Sequence, residues 1–122
     1  MAKKTEIKFN KKIWIEKTEG ENIFGDGKYK LLKTIDEKGS LNLAIKELNL
    51  SYRKTWNKLK KIEDCLGFKI IESIQGGPEG GSSKLTEKGK KIIRAFDEFH
   101  AEHDEFFKKI STKIQQKYFG EI

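Results

Sequence analysis

Three observations on the sequence predict an α+β fold. Residues 5–17 alternate apolar and polar side chains, as a strand does, whereas residues 28–66 repeat apolar side chains every three or four positions, as helices do. The stretch QGGPEGGSS at 75–83 holds four glycines and the only proline, and it stands between two short apolar runs. This order of helices, strand, glycine-rich loop, strand and final helix predicts a winged helix-turn-helix.

The N-terminal region predicts a β-hairpin. Apolar residues of one parity mark its first strand: Ile7, Phe9, Ile13 and Ile15. The alternation breaks at Lys11, and Trp14 lies on the other face. The turn-like TEGEN at 18–22 precedes Ile23 and Phe24, which we expect to return as a short antiparallel strand.

Three helices are predicted next, at residues 28–38, 41–48 and 52–66. Short polar side chains precede or open them as expected N-caps: Asp26, Ser40 and Ser51. The expected stops are residues that tolerate a left-handed backbone: Gly39, Asn49 and Gly67. Because the second and third helices are joined by only Asn49-Leu50-Ser51, they form a helix-turn-helix pattern.

The C-terminal half predicts a strand at 68–74, a return strand at Lys84–Leu85, and a helix opened by Thr86 that runs to about Tyr118. At ~1.5 Å per residue this helix is roughly 45–50 Å long, too long to pack wholly on so small a body. We therefore expect two parts. Residues 1–86 form the winged helix-turn-helix with its N-terminal hairpin, and residues 87–122 form a dimerisation element.

The third predicted helix has two unlike faces. Its expected buried stripe follows 3–4 spacing: Tyr52, Trp56, Leu59, Ile62 and Leu66. The opposite face is basic or amide-bearing: Arg53, Lys54, Asn57, Lys58 and Lys61. The chain has a formal net charge of +7, and residues 46–62 hold six Lys or Arg against one acid. Such a concentration of charge favours an anionic partner, with double-stranded DNA first.

This pattern predicts that the third helix enters the major groove of DNA. Arg and Asn can read guanine and adenine edges, and Lys suits phosphates. The glycine-rich loop is expected to lie on the adjacent backbone as a wing. The DNA-binding candidates are Ser40, Ser51, Tyr52, Arg53, Lys54, Asn57, Lys58, Lys61, Gln75, Gly76, Gly77, Ser82, Ser83 and Lys84. Two alternatives stay open: a solvated helix face, and a protein–protein module whose basic face meets an acidic partner.

Several motifs carry a resemblance to a known family. They are GSLNLAIKELNLSYRKTW at 39–56, LGFKIIE at 66–72, the paired glycines at 76–81 and LTEKGKKII at 85–93. Residues 24–96 as a whole resemble the winged-helix DNA-binding domain of ModE-type molybdate-responsive regulators, which share a LysR-like helix-turn-helix. The N-terminal hairpin also looks similar.

The resemblance implies a DNA-binding transcriptional regulator. It assigns the recognition helix to Ser51, Tyr52, Arg53, Lys54 and Asn57, and the wing to 75–84. The wing departs from the family's GGxGGGG pattern at four positions: Pro78, Glu79, Ser82 and Ser83. Full ModE regulators continue into oxyanion-binding domains, whereas this sequence stops at Ile122, so we expect no molybdate binding in this chain.

The long helix carries a seam with 4-3-4-3-4 spacing: Ile92, Phe96, Phe99, His103, Phe106 and Ile110. Such a seam predicts a homodimer whose twofold axis presents two recognition helices to a palindromic site. The alternative is that the stripe packs on the first helix and the hairpin of the same chain. His100 and His103 lie on one side of the helix among acidic residues, so a metal- or pH-responsive switch is a further alternative. Because no Cys and no recognised zinc spacing accompany them, we expect no metal site.

Other features exclude classes of function. Cys65 has no partner for an intramolecular disulfide, sits at a core-like position and fits a reducing cytoplasm. No apolar run approaches the ~20 residues of a membrane span, and the N-terminus lacks a secretory h-region. The sequence shows no catalytic set, and the glycine-rich loop is not a P-loop because no GKS/T follows it. We expect no enzyme and no cofactor.

Overall fold

The computed structural model describes residues 7–74 and 82–120. In this part of the chain, four helices and two two-stranded antiparallel sheets confirm the predicted α+β class. The elements in order are β1 (Ile15–Glu16), β2 (Asn22–Phe24), α1 (Asp26–Lys38), α2 (Leu41–Leu48), α3 (Tyr52–Leu66), β3 (Ile71–Ile74), β4 (Ser82–Leu85) and α4 (Glu87–Phe119). The described residues group into two compact units, 13–95 and 7–12 with 96–120. Among the described helices, none combines the length and the apolar composition that crossing a membrane requires.

The N-terminal hairpin is much shorter than predicted. Ile15 pairs with Phe24 and Glu16 with Asn22, and the register is irregular between the two pairs. Residues 7–14 form no strand, so the prediction of a strand over 5–17 is wrong for most of its length. Gly25 follows β2 where a Cβ would lie only 3.3 Å from the Cβ of Trp14, so a glycine lets the chain pass this tryptophan.

The ends of α1 depend on glycine. The N-cap is Gly25, with no side-chain cap hydrogen bond, so the prediction that Asp26 caps the helix is wrong. Asp26 lies instead in the first turn, where a carboxylate is favoured by the positive end of the helix dipole. Gly39 ends the helix as predicted, with φ 75°, and its N–H donates to the Ile35 carbonyl.

The link between α2 and α3 is set by local polar groups, as the sequence predicts. The Ser40 hydroxyl accepts from the Leu43 N–H at 3.3 Å, and the Ser51 hydroxyl accepts from the Lys54 N–H at 3.4 Å. Asn49 ends α2 with φ 52°, in the left-handed region. With both helix starts capped and the intervening turn fixed, the angle between α2 and α3 is restricted.

The buried face of α3 is rotated from the predicted stripe. Its buried residues are Thr55, Leu59, Ile62 and Glu63. Tyr52 is 53% exposed, and Trp56 and Leu66 are half-buried. The prediction of a buried stripe is therefore wrong for these three residues and right for Leu59 and Ile62. Glu63 lies on the buried side, where its carboxylate accepts hydrogen bonds from two backbone N–H groups.

The largest fully buried side chains of the unit 13–95 come from β2, α1, α2, α3 and the residue before β3: Phe24, Leu32, Ile35, Leu41, Leu59, Ile62 and Ile70. The start of α4 is fixed against this core. The Thr86 hydroxyl donates to the Lys69 carbonyl at 2.8 Å and accepts from the Gly89 N–H at 3.0 Å. A Cβ on Gly89 would lie 2.8 Å from the Ile70 carbonyl oxygen, so glycine permits this close approach. These contacts explain the LTEKG part of the motif.

β3 and β4 form the second hairpin. Their register pairs Ile71 with Leu85 and Ile74 with Ser82, so the predicted strand and return strand are both present. The residues between them, 75–81, lie outside the described part of the chain.

The second unit consists of residues 7–12 and the part of α4 from Phe96 onward. Within it, the Lys11 ammonium pairs with Asp104 and lies 5.5 Å from the centroid of the Phe107 ring. The Phe9 and Phe119 rings are 6.2 Å apart between centroids. The segment predicted as the first strand therefore contacts a helix instead.

Candidate nucleic-acid interface

The solvent-facing side of α3 carries five long polar side chains, all exposed: Arg53, Lys54, Asn57, Lys58 and Lys61. Four of them lie opposite the buried Leu59 and Ile62 because the helix repeats every 3.6 residues. The fifth, Lys58, precedes Ile62 by four residues and lies at the edge of the solvent-facing side. We call these five residues the basic face. In residues 7–74 and 82–120, none of its four cations forms an ion pair. The face therefore offers uncompensated positive charge beside one amide.

Lys60 differs from the lysines of the basic face. Its ammonium lies 3.1 Å from a carboxylate oxygen of Glu63 and 4.5 Å from the centroid of the Trp56 ring. The charge of Lys60 is thus partly compensated within the fold. The charge count over residues 46–62 included Lys60 with the other lysines, because a count of charges does not distinguish paired from unpaired cations.

An aromatic pair stands beside the basic face at the start of α3. The rings of Tyr52 and Trp56 are stacked, with centroids 6.3 Å apart and an interplanar angle of 7°. Together with Lys60 they form a row at i, i+4 and i+8, a spacing that brings side chains together on a helix. The same spacing in the sequence indicates such a row, but Tyr52 and Trp56 were interpreted only as a buried stripe. One face of the exposed Tyr52 ring packs against Trp56.

The two serine candidates are first of all helix caps. The Ser51 hydroxyl oxygen accepts from Lys54, and its hydrogen can still be donated to another acceptor. Ser40 has the corresponding position at α2. Both hydroxyls thus lie at helix N-termini, which favour anions.

Only the base of the predicted wing is described. Lys84 is exposed and lies 3.9 Å from the carboxylate of Glu72 across the β3–β4 pair. Ser83 is half-buried opposite Ser73, and Ser82 belongs to β4. The other wing candidates, Gln75, Gly76 and Gly77, lie outside the described residues.

Glu63 connects α3 to β3, a role that the sequence analysis missed. Its Oε2 accepts the N–H of Ile70 at 2.8 Å and the N–H of Ile71 at 3.2 Å. Burial acts to raise the pKa of this carboxyl, but the two backbone hydrogen bonds and Lys60 outweigh it and hold the pKa below its ordinary value. The carboxylate therefore fixes the C-terminal part of α3 to the start of the second hairpin. The only indication of this role in the sequence is that Glu63 is an acid among apolar positions, one turn before Gly67.

The predicted seam of α4 is divided between exposed and covered positions. Phe99, Phe106 and Ile110 are 58%, 63% and 43% exposed, and we call these three residues the exposed stripe. Phe96, in contrast, is only 2% exposed, and Ile92 is half-buried. An apolar row of this kind on one helix is the type of surface that a partner covers.

His103 lies half-buried beside the exposed stripe. Its ring is stacked with the rings of Phe99 and Phe107, at centroid distances of 5.8 and 6.4 Å. The Nδ1 atom of His103 is buried and finds no hydrogen-bond partner among the described residues. In the same part of the chain, no group of three or more His, Cys, Asp or Glu side chains comes together as a metal site would require.

Two other titratable groups are engaged in local contacts. Lys11 lowers the pKa of Asp104 through a hydrogen bond and its charge, against a smaller opposing effect of desolvation, and His100 adds to the lowering. The Cys65 thiol donates to Glu21 at 3.3 Å, and this hydrogen bond raises the pKa of the thiol. Cys65 is half-buried rather than part of the core. A raised pKa disfavours the reactive thiolate.

Comparisons with known proteins give a consistent group of relatives. The chain is 25% identical over 105 residues to "Molybdenum transport protein ModE" of Azotobacter vinelandii, which covers 86% of the chain and 39% of that protein. It is 27% identical over 100 residues to "DNA-binding transcriptional dual regulator ModE" of Escherichia coli K12, with 81% and 34% covered. It is 32% identical over 71 residues to "Molybdenum-pterin-binding protein MopB" of Rhodobacter capsulatus, with 58% and 26% covered. No family model matches the sequence.

The chain corresponds to only part of each of these relatives. The chain spans between about a quarter and two fifths of the length of these relatives. The aligned part nevertheless covers most of the chain in the two ModE comparisons. At these modest identities, ModE and MopB proteins are homologues of the chain.

Proposed function

We propose that this chain is a member of the ModE family and acts as a sequence-specific, DNA-binding transcriptional regulator. The observation that carries the proposal is the basic face of α3. Four cations and one amide share an exposed helix surface on which none of the cations forms an ion pair within the described residues. A B-DNA major groove admits an α-helix and supplies both phosphates and base edges.

In the proposed mechanism, α2 and α3 form the helix-turn-helix, and α3 is the recognition helix. Arg53 and Asn57 read base edges, because their side chains can form two hydrogen bonds to guanine and to adenine respectively. The lysines of the basic face, with the Ser40 and Ser51 hydroxyls and Tyr52, contact the sugar-phosphate backbone. The β3–β4 hairpin is the base of a wing whose residues, 75–84, lie on the neighbouring backbone.

Similarity to a DNA-binding regulator supports this proposal. ModE of E. coli is a DNA-binding transcriptional dual regulator, and its similarity covers 81% of this chain. The names of other relatives refer to molybdenum. We do not extend molybdenum binding or transport to this chain.

We further propose that the regulator is a homodimer, with residues 1–86 as the DNA-binding part and 87–122 as the dimerisation element. The exposed stripe of α4 supports a homodimer because three large apolar side chains are exposed to solvent within a run of twelve residues. A twofold pair of α4 helices would cover them. An inverted-repeat DNA site would then match the symmetry of the protein.

The proposal is tested by two variants that remove one positive charge each. Lys58→Ala removes a cation of the basic face, and Lys113→Ala removes an exposed cation of α4. The affinity for a mixed-sequence duplex is measured by fluorescence anisotropy over a range of salt concentrations. We expect Lys58→Ala to reduce the slope of log K against log salt by about one, because each phosphate contact releases its counterion.

Lys113→Ala is the matched control. It should leave the duplex affinity and the slope of log K against log salt close to those of the wild type. Equal losses in the two variants would mean that binding follows the net charge of the chain rather than α3. The protein–protein module would then become the better reading of the basic face.

A further inference from the structure

A cavity of about 340 Å³ lies where α1, the end of α2 and α3 meet, within the unit 13–95. Its apolar wall is made of three leucines, one from each of α1, α2 and the α2–α3 link: Leu31, Leu48 and Leu50. Thr55, which is only 3% exposed, also lines the cavity. Cavities of this size with a mainly apolar wall and a few polar groups are typical of small-molecule sites.

The charged residues around the cavity are all lysines. Lys28, Lys30 and Lys58 line it, and no acidic residue does so in the described part of the chain. The Lys28 ammonium donates to the Ile23 carbonyl at 3.3 Å, so this group is held in place. Lys30 and Lys58 form no ion pair within residues 7–74 and 82–120. The rim therefore favours a negative charge.

The apolar wall and the cationic rim together define the ligand. An inorganic anion would gain from the lysines but would leave the leucines in contact with water, whereas a neutral hydrocarbon would leave the lysines unpaired. A molecule with an anionic group at one end and an apolar body satisfies both parts. We propose that this cavity binds a small amphipathic anion, such as an aliphatic carboxylate.

Binding at this position would affect the candidate DNA interface, and this consequence rests on the proposed function. Lys58 lines the cavity and also belongs to the basic face of α3. Leu50 lies in the link that restricts the angle between α2 and α3. An anion that pairs with Lys58 withdraws one cation from DNA, so the ligand is expected to weaken DNA binding.

The cavity itself is tested without DNA. Methyl resonances of the full chain are followed by NMR during titration with sodium hexanoate at constant ionic strength. We expect saturable shifts at Leu31, Leu48 and Leu50. Lys30→Ala should weaken hexanoate binding about five- to tenfold, because it removes a charge-assisted contact. Lys46→Ala, an exposed lysine of α2 outside the cavity, is the matched control and should change nothing.

Two further probes separate this proposal from simpler explanations. Inorganic phosphate should shift the leucine methyls far less than hexanoate, and hexylammonium should not shift them. Equal shifts with phosphate would show a plain anion site, equal shifts with hexylammonium would show an apolar site, and shifts that never saturate would show no site. Each of these results overturns the proposal and leaves the DNA-binding proposal untouched.

The regulatory consequence has its own measurement. Saturating hexanoate should lower the affinity of the chain for a duplex at least severalfold, and the same concentration should have little effect on the Lys30→Ala variant. An unchanged affinity in the wild type would overturn the regulatory part. Failure of the wild type to bind any duplex would overturn the proposed function, while the hexanoate titration would still decide whether the cavity binds an anion.

Discussion

Single side chains determine how α3 is held and what it presents to solvent. Glu63 accepts hydrogen bonds from two backbone N–H groups at the start of the second hairpin and also pairs with Lys60. An ionised carboxylate accepts such hydrogen bonds more strongly than a protonated carboxyl does. The charge of one residue therefore strengthens the contact between α3 and the start of the hairpin.

The first residue-scale prediction concerns Glu63→Gln. Because the pKa of Glu63 is lowered in the folded state, the carboxylate contributes stability that is fully present above its unfolded pKa and is lost as the pH falls through its folded pKa. We expect Glu63→Gln to lower the free energy of unfolding by about 1–3 kcal/mol at neutral pH, since a neutral amide replaces a charged acceptor. Urea denaturation from about pH 7 to about pH 3.5 should show the difference from the wild type shrinking.

The control for this prediction is Glu72→Gln. Glu72 is an exposed glutamate of β3, 3.9 Å from Lys84, and exposed pairs contribute little. A stability difference for Glu63→Gln that stayed constant with pH would mean that the charge of Glu63 is not the stabilising feature.

The second residue-scale prediction separates reading of bases from attraction to phosphates. Asn57→Ala or Arg53→Ala should cost about 1–3 kcal/mol on a selected site and relax the preference at one base pair. Lys58→Ala should weaken binding to all sequences about equally. Affinities for the selected site and its single-base variants provide the measurement. Uniform losses in all three variants would contradict the assignment of base contacts to Arg53 and Asn57.

Local residues could be predicted well from the sequence, and residues with distant partners could not. Ser51 and Asn49 act on the backbone within a few positions of themselves, so the sequence pattern indicates their roles. The burial of Glu63 depends on N–H groups seven and eight residues further along the chain. The periodicity of α3 gave no indication of these partners, which is why its buried face was predicted with the wrong rotation.

At the level of elements, α4 has two different sides within the unit that contains residues 96–120. One side is contacted by residues 7–12 through Lys11 and Phe9, and the exposed stripe lies on another. The alternation over residues 5–17 was interpreted as a strand in a sheet. An extended segment that packs on any apolar surface shows the same two-residue period. The segment contacts α4 instead, so periodicity alone did not identify its partner.

The element-scale prediction tests the exposed stripe. Phe106→Ala should weaken a homodimer by about 1.5–3 kcal/mol, roughly ten- to a hundredfold in Kd, because a central aromatic side chain is lost from the interface. Tyr118→Ala is the matched control, since Tyr118 is an aromatic of α4 with 59% exposure that does not belong to the stripe. Sedimentation velocity over a range of concentrations gives the two values.

Two outcomes would contradict this assignment. A wild-type chain that stays monomeric at high concentration would remove the dimer altogether. Equal effects of the two substitutions would show that the exposed stripe is not the specific contact.

For the whole molecule, the distribution of charge matters more than its total. The net charge of +7 predicts attraction to nucleic acid of any sequence. The structure shows that some of the cations, such as Lys60 and Lys11, are paired with acids, while the basic face of α3 has no such pairs among the described residues. The fold class and the bounds of α3 could therefore be predicted from sequence, but the split between paired and unpaired cations required the tertiary structure.

The central claim is that α3 reads a specific DNA sequence, and it is tested most directly by selecting bound duplexes from a randomised pool at low and near-physiological salt. The account predicts enrichment of an inverted repeat that survives the higher salt, with a half-site spacing that reports the geometry of the dimer. Binding that enriches no sequence and disappears as salt is raised would contradict it, because only counterion release from a basic surface would remain.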